Sequence, residues 1–96
     1  MSNTFYEAEV AFVPTTEEEM RATIGEKVRH FRKEKGLSIN ALAELSGVET
    51  KTLYGIERLT TKLMPTLSTL LKIANFLNEP VVAFIDSKFY ERRDEP

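Results

Sequence analysis

Apolar side chains recur at helical spacing through most of this 96-residue chain. The first stripe consists of Met20, Ile24, Val28 and Phe31. Because its members lie three or four residues apart, the pattern predicts a continuous helix from about Glu17 to Lys35 that ends at Gly36. Two capping-box patterns, at residues 16–19 and 23–26, are alternative starts for this helix.

Two shorter helices are predicted to follow, joined by a hinge at residues 46–48. Ser38 is suited to begin the first, because its side-chain oxygen accepts a backbone N–H of the first turn. Gly47 is suited to end it, because a residue without a Cβ takes the left-handed conformation that closes a helix. The second helix runs from about Thr50 to Arg58, and a helix presented outward by so tight a turn has the size to lie in the major groove of DNA. The crossing is expected to be filled by Leu42, Ala43, Val48, Leu53 and Ile56.

A fourth helix is predicted to begin at Pro65. Its core face is expected to consist of Leu67, Leu70, Leu71, Ala74 and Leu77. Ile73 and Phe76 then project elsewhere and need a second apolar partner. That partner is expected to come from Val82, Phe84 and Ile85. In the loop before this helix, we expect Leu63 and Met64 to fold back and cap the core; the alternative is an exposed apolar contact with a partner or a DNA sugar.

The N-terminal segment has a different pattern. Residues 5–13 place apolar side chains at every second position, which predicts a half-buried β-strand ended by Pro14. A lone strand is unstable, so this one needs a partner from residues 81–85 or 88–92, in the same chain or in a second subunit. We therefore expect the N- and C-terminal segments to build a two-fold dimer interface.

Charge divides the chain into three parts. The net charge is -2, although a DNA-binding domain is normally basic. Residues 23–78 hold nine Lys or Arg and five Glu, a net charge of +4, whereas residues 1–22 and 79–96 carry -4 and -2. We therefore expect an N-terminal extension over 1–22, a helix-turn-helix DNA-binding domain over 23–78, and a C-terminal dimerisation segment over 79–96. A basic core with acidic tails is typical of a DNA-facing domain whose extensions do not touch the DNA.

Composition excludes several classes of protein. The chain has no cysteine, so a disulfide framework and a thiolate metal site are excluded, which fits a reducing cytoplasm. No apolar run reaches membrane-spanning length and no signal-peptide pattern is present, so we expect a cytoplasmic, nucleoid-associated protein. His30 is the one histidine, and the acidic run at residues 17–19 is explained by the dipole of the helix it begins. We expect no enzyme activity, cofactor, metal or small-molecule ligand.

Four segments together resemble the DNA-binding domain of phage repressors and of the bacterial xenobiotic-response-element regulators. They read IGEKVRHFRKEKGLS, ALAELSGV, TLYGIER and PTLSTLLKIANFL. They lie between Ile24 and Ile85, about two thirds of the chain, in the order and spacing of that family. The resemblance implies an all-α, five-helix bundle of the lambda-repressor type that binds double-stranded operator DNA as a homodimer.

The resemblance also implies which residues meet DNA. The candidate base contacts are Thr50, Lys51 and Tyr54, of which Tyr54 is also placed to reach a phosphate. The candidate phosphate contacts are Ser38, Asn40, Arg58, Thr60, Thr61 and Lys62. Lysine reaches the guanine O6 and N7 atoms, whereas phosphate contacts fix the register without carrying sequence information. In the family, the residues matching Arg32 and Glu57 form an ion pair, which would tie the first helix to the recognition helix.

Some positions depart from the family's pattern. Gly55 stands where the family often has a base-contacting side chain, Ile39 replaces a backbone-contacting glutamine, and Leu59 replaces a helix-ending glycine. The favoured interpretation is a sequence-specific transcriptional regulator, bound as a homodimer to a palindrome with half-sites about one helical turn apart. An antitoxin or a restriction-modification control protein that autoregulates its operon is an alternative of the same class. A protein-interaction module with a degenerate helix-turn-helix is an alternative of another class.

Overall fold

The computed structural model describes residues 15–86, and this part of the chain forms five α-helices. They are α1 Glu17–Glu34, α2 Ile39–Ser46, α3 Thr50–Arg58, α4 Leu67–Leu77 and α5 Val82–Ile85. The predicted five-helix bundle is therefore confirmed. The predicted strand over residues 5–13 and its candidate partner at 88–92 lie outside the described residues. The other candidate partner, residues 81–85, was wrong as a strand, because Val82–Ile85 is helical and buries Phe84 in the core of its own bundle. No helix within residues 15–86 is long and apolar enough to cross a membrane.

Side chains that satisfy backbone groups define the ends of the first two helices. At the start of α1, the Thr16 hydroxyl accepts the Glu19 N–H at 3.0 Å, and the Glu19 carboxylate accepts the Thr16 N–H at 3.1 Å. The first of the two capping boxes is thus the one that is used. At the start of α2, Ser38 Oγ accepts the Ala41 N–H at 3.0 Å, as predicted. The helix ends at Gly47 with a φ of 81°, the left-handed conformation that glycine was expected to supply.

The core is enclosed by pairs of packed helices, and α3 takes part in two of these pairs. Helix α1 packs against α3 and α5, and α2 packs against α3 and α4. The stripe predicted on α1 is buried, with Met20 at its edge, and the predicted crossing between α2 and α3 is buried throughout. Because α3 is held from two sides by apolar contacts, its remaining side is left for the solvent or a partner.

The prediction for α4 was wrong in two respects. The N-cap is Thr66, whose hydroxyl accepts the Thr69 N–H at 3.1 Å, so Pro65 precedes the helix instead of opening it. The buried face consists of Leu70, Ile73, Ala74 and Leu77, whereas Leu67 and Leu71 are exposed. Residues at i, i+3, i+4 and i+7 share one stripe of a helix, and both the predicted and the observed sets fit this spacing. The stripe that includes Ile73 is buried because it is the one that faces α2 and α1.

The C-terminal end of the core and the loop before α4 also differ from expectation. On α5 the buried side chain among the expected partners is Phe84, and its ring meets that of Phe31 with the centroids 5.3 Å apart; Val82 and Ile85 are exposed. In the loop, Leu63 is 78% exposed and Met64 is also exposed, so neither caps the core as expected. The Leu63 N–H donates to the side-chain oxygen of Thr61 at 3.1 Å, a local turn that holds Leu63 outside.

Candidate nucleic-acid interface

Helix α3 presents one apolar and one polar side. Leu53 and Ile56 are buried in the crossing with α2, whereas Lys51 and Arg58 are exposed. Glu49 occupies the N-cap position but makes no side-chain cap hydrogen bond, so its carboxylate is not committed to the helix end. The polar side of α3 therefore faces away from the bundle, as a recognition helix requires.

A buried ion pair fixes α3 against α1. Arg32 Nε donates to Glu57 Oε2 at 2.6 Å and Arg32 Nη2 donates to Glu57 Oε1 at 2.8 Å. The two side chains are 9% and 1% exposed, and the second terminal nitrogen of Arg32 donates to the Leu37 carbonyl at 2.6 Å. The hydrogen bond to Glu57 raises the pKa of Arg32 against the opposing effect of burial, and the charge of Glu57 adds to the rise. The ion pair implied by the resemblance is confirmed, and it joins α1, the α1–α2 turn and the recognition helix.

Backbone contact provides a second link between α1 and α3. Gly25 is buried on α1, and a Cβ added there would collide with the carbonyl oxygen of Ile56. Only a residue without a side chain allows the two helices to approach so closely. Sequence reasoning treated this glycine as part of a capping-box pattern and missed its role, because close approach is set by a residue distant in the chain.

An open cleft of about 540 Å³ lies beside the exposed side of α3. It is bounded by the start of α3, by the loop that follows it and by the first turn of α4. Among the candidate contacts it brings together Lys51, Thr60 and Thr61. It also includes Glu49 and Thr52, which sequence reasoning did not single out. Thr52 directly follows Lys51 in the sequence, and this position next to a candidate base contact is the signal that could have identified it.

Tyr54 and Arg58 form a pair of their own on α3. The Arg58 guanidinium carbon lies 4.5 Å from the centroid of the Tyr54 ring, within the range of a cation–π contact. The Tyr54 ring is partly buried and packs against the core. The guanidinium covers one face of the Tyr54 ring, and the core covers another part of the ring. Tyr54 therefore lies between Arg58 and the core, where it can support the Arg58 side chain.

The remaining candidates are more scattered. Ser38 is exposed, but its hydroxyl oxygen already caps α2. Asn40 and Lys62 are exposed, and Thr50 is half-buried at the first position of α3. Ile39, which stands in place of a glutamine, is buried in the core and so takes no part in the surface. The polar surface around α3 is therefore centred on Lys51 and the neighbouring cleft.

These features together define a helix-turn-helix protein, in which α2 supports an outward-facing α3. Residues 28–84 match the model of the family HTH_3, which is described as "Helix-turn-helix". The match covers more than half of the chain, so the chain belongs to this helix-turn-helix family.

Proteins similar to this chain are named as regulators of transcription. The HTH-type transcriptional regulator SinR of Bacillus subtilis (strain 168) is 37% identical over 65 residues, which cover 68% of this chain and 58% of SinR. A crystal structure of an HTH_3 family transcriptional regulator from Vibrio cholerae matches 77% of this chain and 42% of its own, with a TM-score of 0.68 and 36% identity. The hypothetical transcription factor NHTF from Neisseria matches 86% of this chain and 92% of its own, with a TM-score of 0.69 and 25% identity. This chain thus spans 58% of the length of the Bacillus relative.

Proposed function

We propose that the protein is a sequence-specific DNA-binding regulator of transcription that acts as a homodimer on a palindromic operator. The observation that carries the proposal is the outward-facing start of α3, where Lys51 is exposed beside a cleft whose lining combines threonines with apolar side chains. The buried pair of Arg32 and Glu57 holds that surface in a fixed orientation. A rigid, exposed helix of this kind is what base readout in the major groove needs.

In this proposal the side chains around α3 have two kinds of role. Thr50 and Lys51 meet base edges, since they lie at the end of α3 that a recognition helix turns toward the bases. Arg58 and Lys62 contact phosphates, together with the first turn of α2 at Ser38 and Asn40. Tyr54 supports Arg58 through the ring contact, so its role shifts from base readout to positioning.

Two lysines of the surface allow a matched test. Lys51→Ala should relax the preference at one base pair in each half-site, whereas Lys62→Ala should weaken binding to all sequences and reduce the salt dependence. The measurement is selection from a randomised DNA library, followed by salt-titrated mobility shifts on the selected and on random DNA. If Lys51→Ala lost equal affinity for both DNAs, its role as a base contact would be refuted.

Dimerisation is the second part of the proposal. We assign it to the N- and C-terminal segments, and expect half-sites about one helical turn, roughly 34 Å, apart. Enrichment of a palindrome in the selection supports this arrangement, and sedimentation at micromolar concentration measures the oligomeric state directly. A monomer at that concentration, or a dimer that survives deletion of residues 1–14, would contradict the assignment.

A protein-interaction module is a second candidate function. The exposed side chains of Leu63 and Met64 favour it, since both border the cleft beside α3 and a group of exposed apolar residues is typical of a protein contact. The same library experiment distinguishes the two candidates. A module that has lost its DNA contacts would retain no DNA even at low salt, where phosphate contacts are strongest.

A further inference from the structure

Gly55 interrupts the exposed side of the recognition helix. It lies four residues after Lys51, so the two positions share one face of α3, and both border the same cleft. Yet Gly55 is buried. The surface that a side chain at this position would occupy is therefore already covered by other atoms of the protein.

The covering atoms belong to the loop after α3. A Cβ added to Gly55 would lie 3.1 Å from the methyl carbon of Thr61 and 3.8 Å from the hydroxyl oxygen of Thr60. The chain returns to the helix because Leu59, directly after α3, has a φ of 55° and so turns the backbone sharply. Residues 60 and 61 thus sit on the helix at the place of the missing side chain.

The two threonines differ in whether their hydroxyl groups are already hydrogen-bonded within the protein. The hydroxyl oxygen of Thr61 accepts the Leu63 N–H at 3.1 Å, while its methyl group packs on Gly55. Thr60 is exposed, and no hydrogen bond joins its hydroxyl to any other residue in the 15–86 region. Thr61 therefore anchors the loop, and Thr60 presents a hydroxyl next to the face that carries Lys51.

We propose that Thr60, seated on the recognition helix through the contact of Thr61 with Gly55, is a specificity-determining residue that reads a base edge where α3 itself has no side chain. This inference rests on the proposed DNA-binding function and assigns Thr60 to base readout instead of to a phosphate. A threonine hydroxyl both donates and accepts a hydrogen bond, so it suits a base edge in the major groove.

The direct test is Thr60→Val in the full chain, because valine keeps the shape of threonine and removes the hydroxyl. Library selection and competition binding would be compared for wild type, Thr60→Val and Lys62→Ala. Thr60→Val should reduce the preference at one base pair per half-site by about 5-fold, the effect of one hydrogen bond, with affinity for random DNA unchanged. Lys62→Ala, two residues further along the same loop, should lower affinity for every sequence instead.

A second variant tests whether the contact of Thr61 with Gly55 positions the loop that carries Thr60. In Gly55→Ala the added methyl would lie 3.1 Å from the Thr61 methyl, so Thr61 must shift by a few tenths of an ångström, while the helix gains a better helix-forming residue and the fold is retained. The preference at the same base pair should weaken, and the double variant with Thr60→Val should lose no more than Thr60→Val alone. Additive losses, or an unchanged preference in Gly55→Ala, would overturn the proposed seating.

The outcomes separate this inference from the function on which it rests. If wild type enriches no sequence from the library, the proposed function fails, and base readout by Thr60 fails with it. If wild type enriches a motif and Thr60→Val keeps the same preference at every position, only the inference about Thr60 fails. A uniform loss in Thr60→Val on specific and random DNA would show a phosphate contact and would equally overturn it.

Discussion

Removing the Arg32 side chain should strongly reduce the stability of the packing that holds the recognition helix. Arg32→Met keeps much of the side-chain volume but deletes both donors to Glu57 and the donor to the Leu37 carbonyl. The Glu57 carboxylate, 1% exposed, would then remain buried without those donors. The physical cost is thus the burial of an uncompensated charge more than the loss of an attraction.

The expected loss of stability is about 3–5 kcal/mol, the usual result of breaking a buried ion pair from one side. The 72 described residues suggest a total stability of roughly 4–10 kcal/mol. The change therefore removes between about a third and all of the stability. With an m-value of about 1.5 kcal/mol/M, the midpoint of urea unfolding should fall by roughly 2–3 M.

Urea unfolding followed by circular dichroism measures this loss, and α1 provides a matched control. Arg21 Nη1 lies 4.0 Å from Oε1 of the exposed Glu17. Because the Glu17 carboxylate would stay in solvent, Arg21→Met should lower the free energy of unfolding by less than about 1 kcal/mol. The double variant Arg32→Met with Glu57→Met removes the stranded charge and should recover most of the stability. A loss below about 1 kcal/mol for Arg32→Met would refute the reasoning, as would a double variant no more stable than the single.

The stabilisation that comes from the raised pKa of Arg32 should not depend on pH near neutrality. Hydrogen bonding to Glu57 raises the pKa of Arg32 in the folded state. For a basic group with a raised pKa, the stabilisation is fully present below the unfolded pKa and is lost only as the pH rises through the folded one. Both pKa values of Arg32, folded and unfolded, lie far above neutrality, so urea unfolding of the wild type between about pH 7 and 9 should show no change in stability that comes from this group.

Three further changes test other features of the structure. Gly25→Ala should destabilise by about 1–3 kcal/mol in urea unfolding, because its methyl forces α1 and α3 apart at the Ile56 carbonyl; unchanged stability would contradict the close approach. Tyr54→Phe should keep DNA affinity, whereas Tyr54→Leu should weaken it as Arg58→Ala does, because the ring face and not the hydroxyl supports the guanidinium; equal losses for Phe and Leu would contradict this. Leu63→Ser should change stability by less than about 0.5 kcal/mol, since the side chain is exposed; a larger loss would indicate a buried role.

The sequence by itself determined the local structure of this protein. Helix starts at Thr16 and Ser38, and the stop at Gly47, depend on hydrogen bonds and backbone angles within a few residues, so they were readable from residue type and spacing. The crossing of α2 and α3 followed from apolar periodicity. The pair of Arg32 and Glu57 was anticipated only through the resemblance to a family, because its members lie 25 residues apart in the chain.

Only the tertiary structure decided which apolar face of α4 is buried and where the loop after α3 lies. Leucine-rich faces on α4 are nearly equivalent in sequence, and the packing against α2 and α1 selected the one with Ile73. From the sequence, Gly25 is interpreted as part of a capping box and Gly55 as a missing base contact, yet in the structure Gly25 allows the backbone of α3 to approach and Gly55 makes room for the methyl group of Thr61. Such contacts depend on the relative positions of elements distant along the chain, which residue spacing within one helix does not encode.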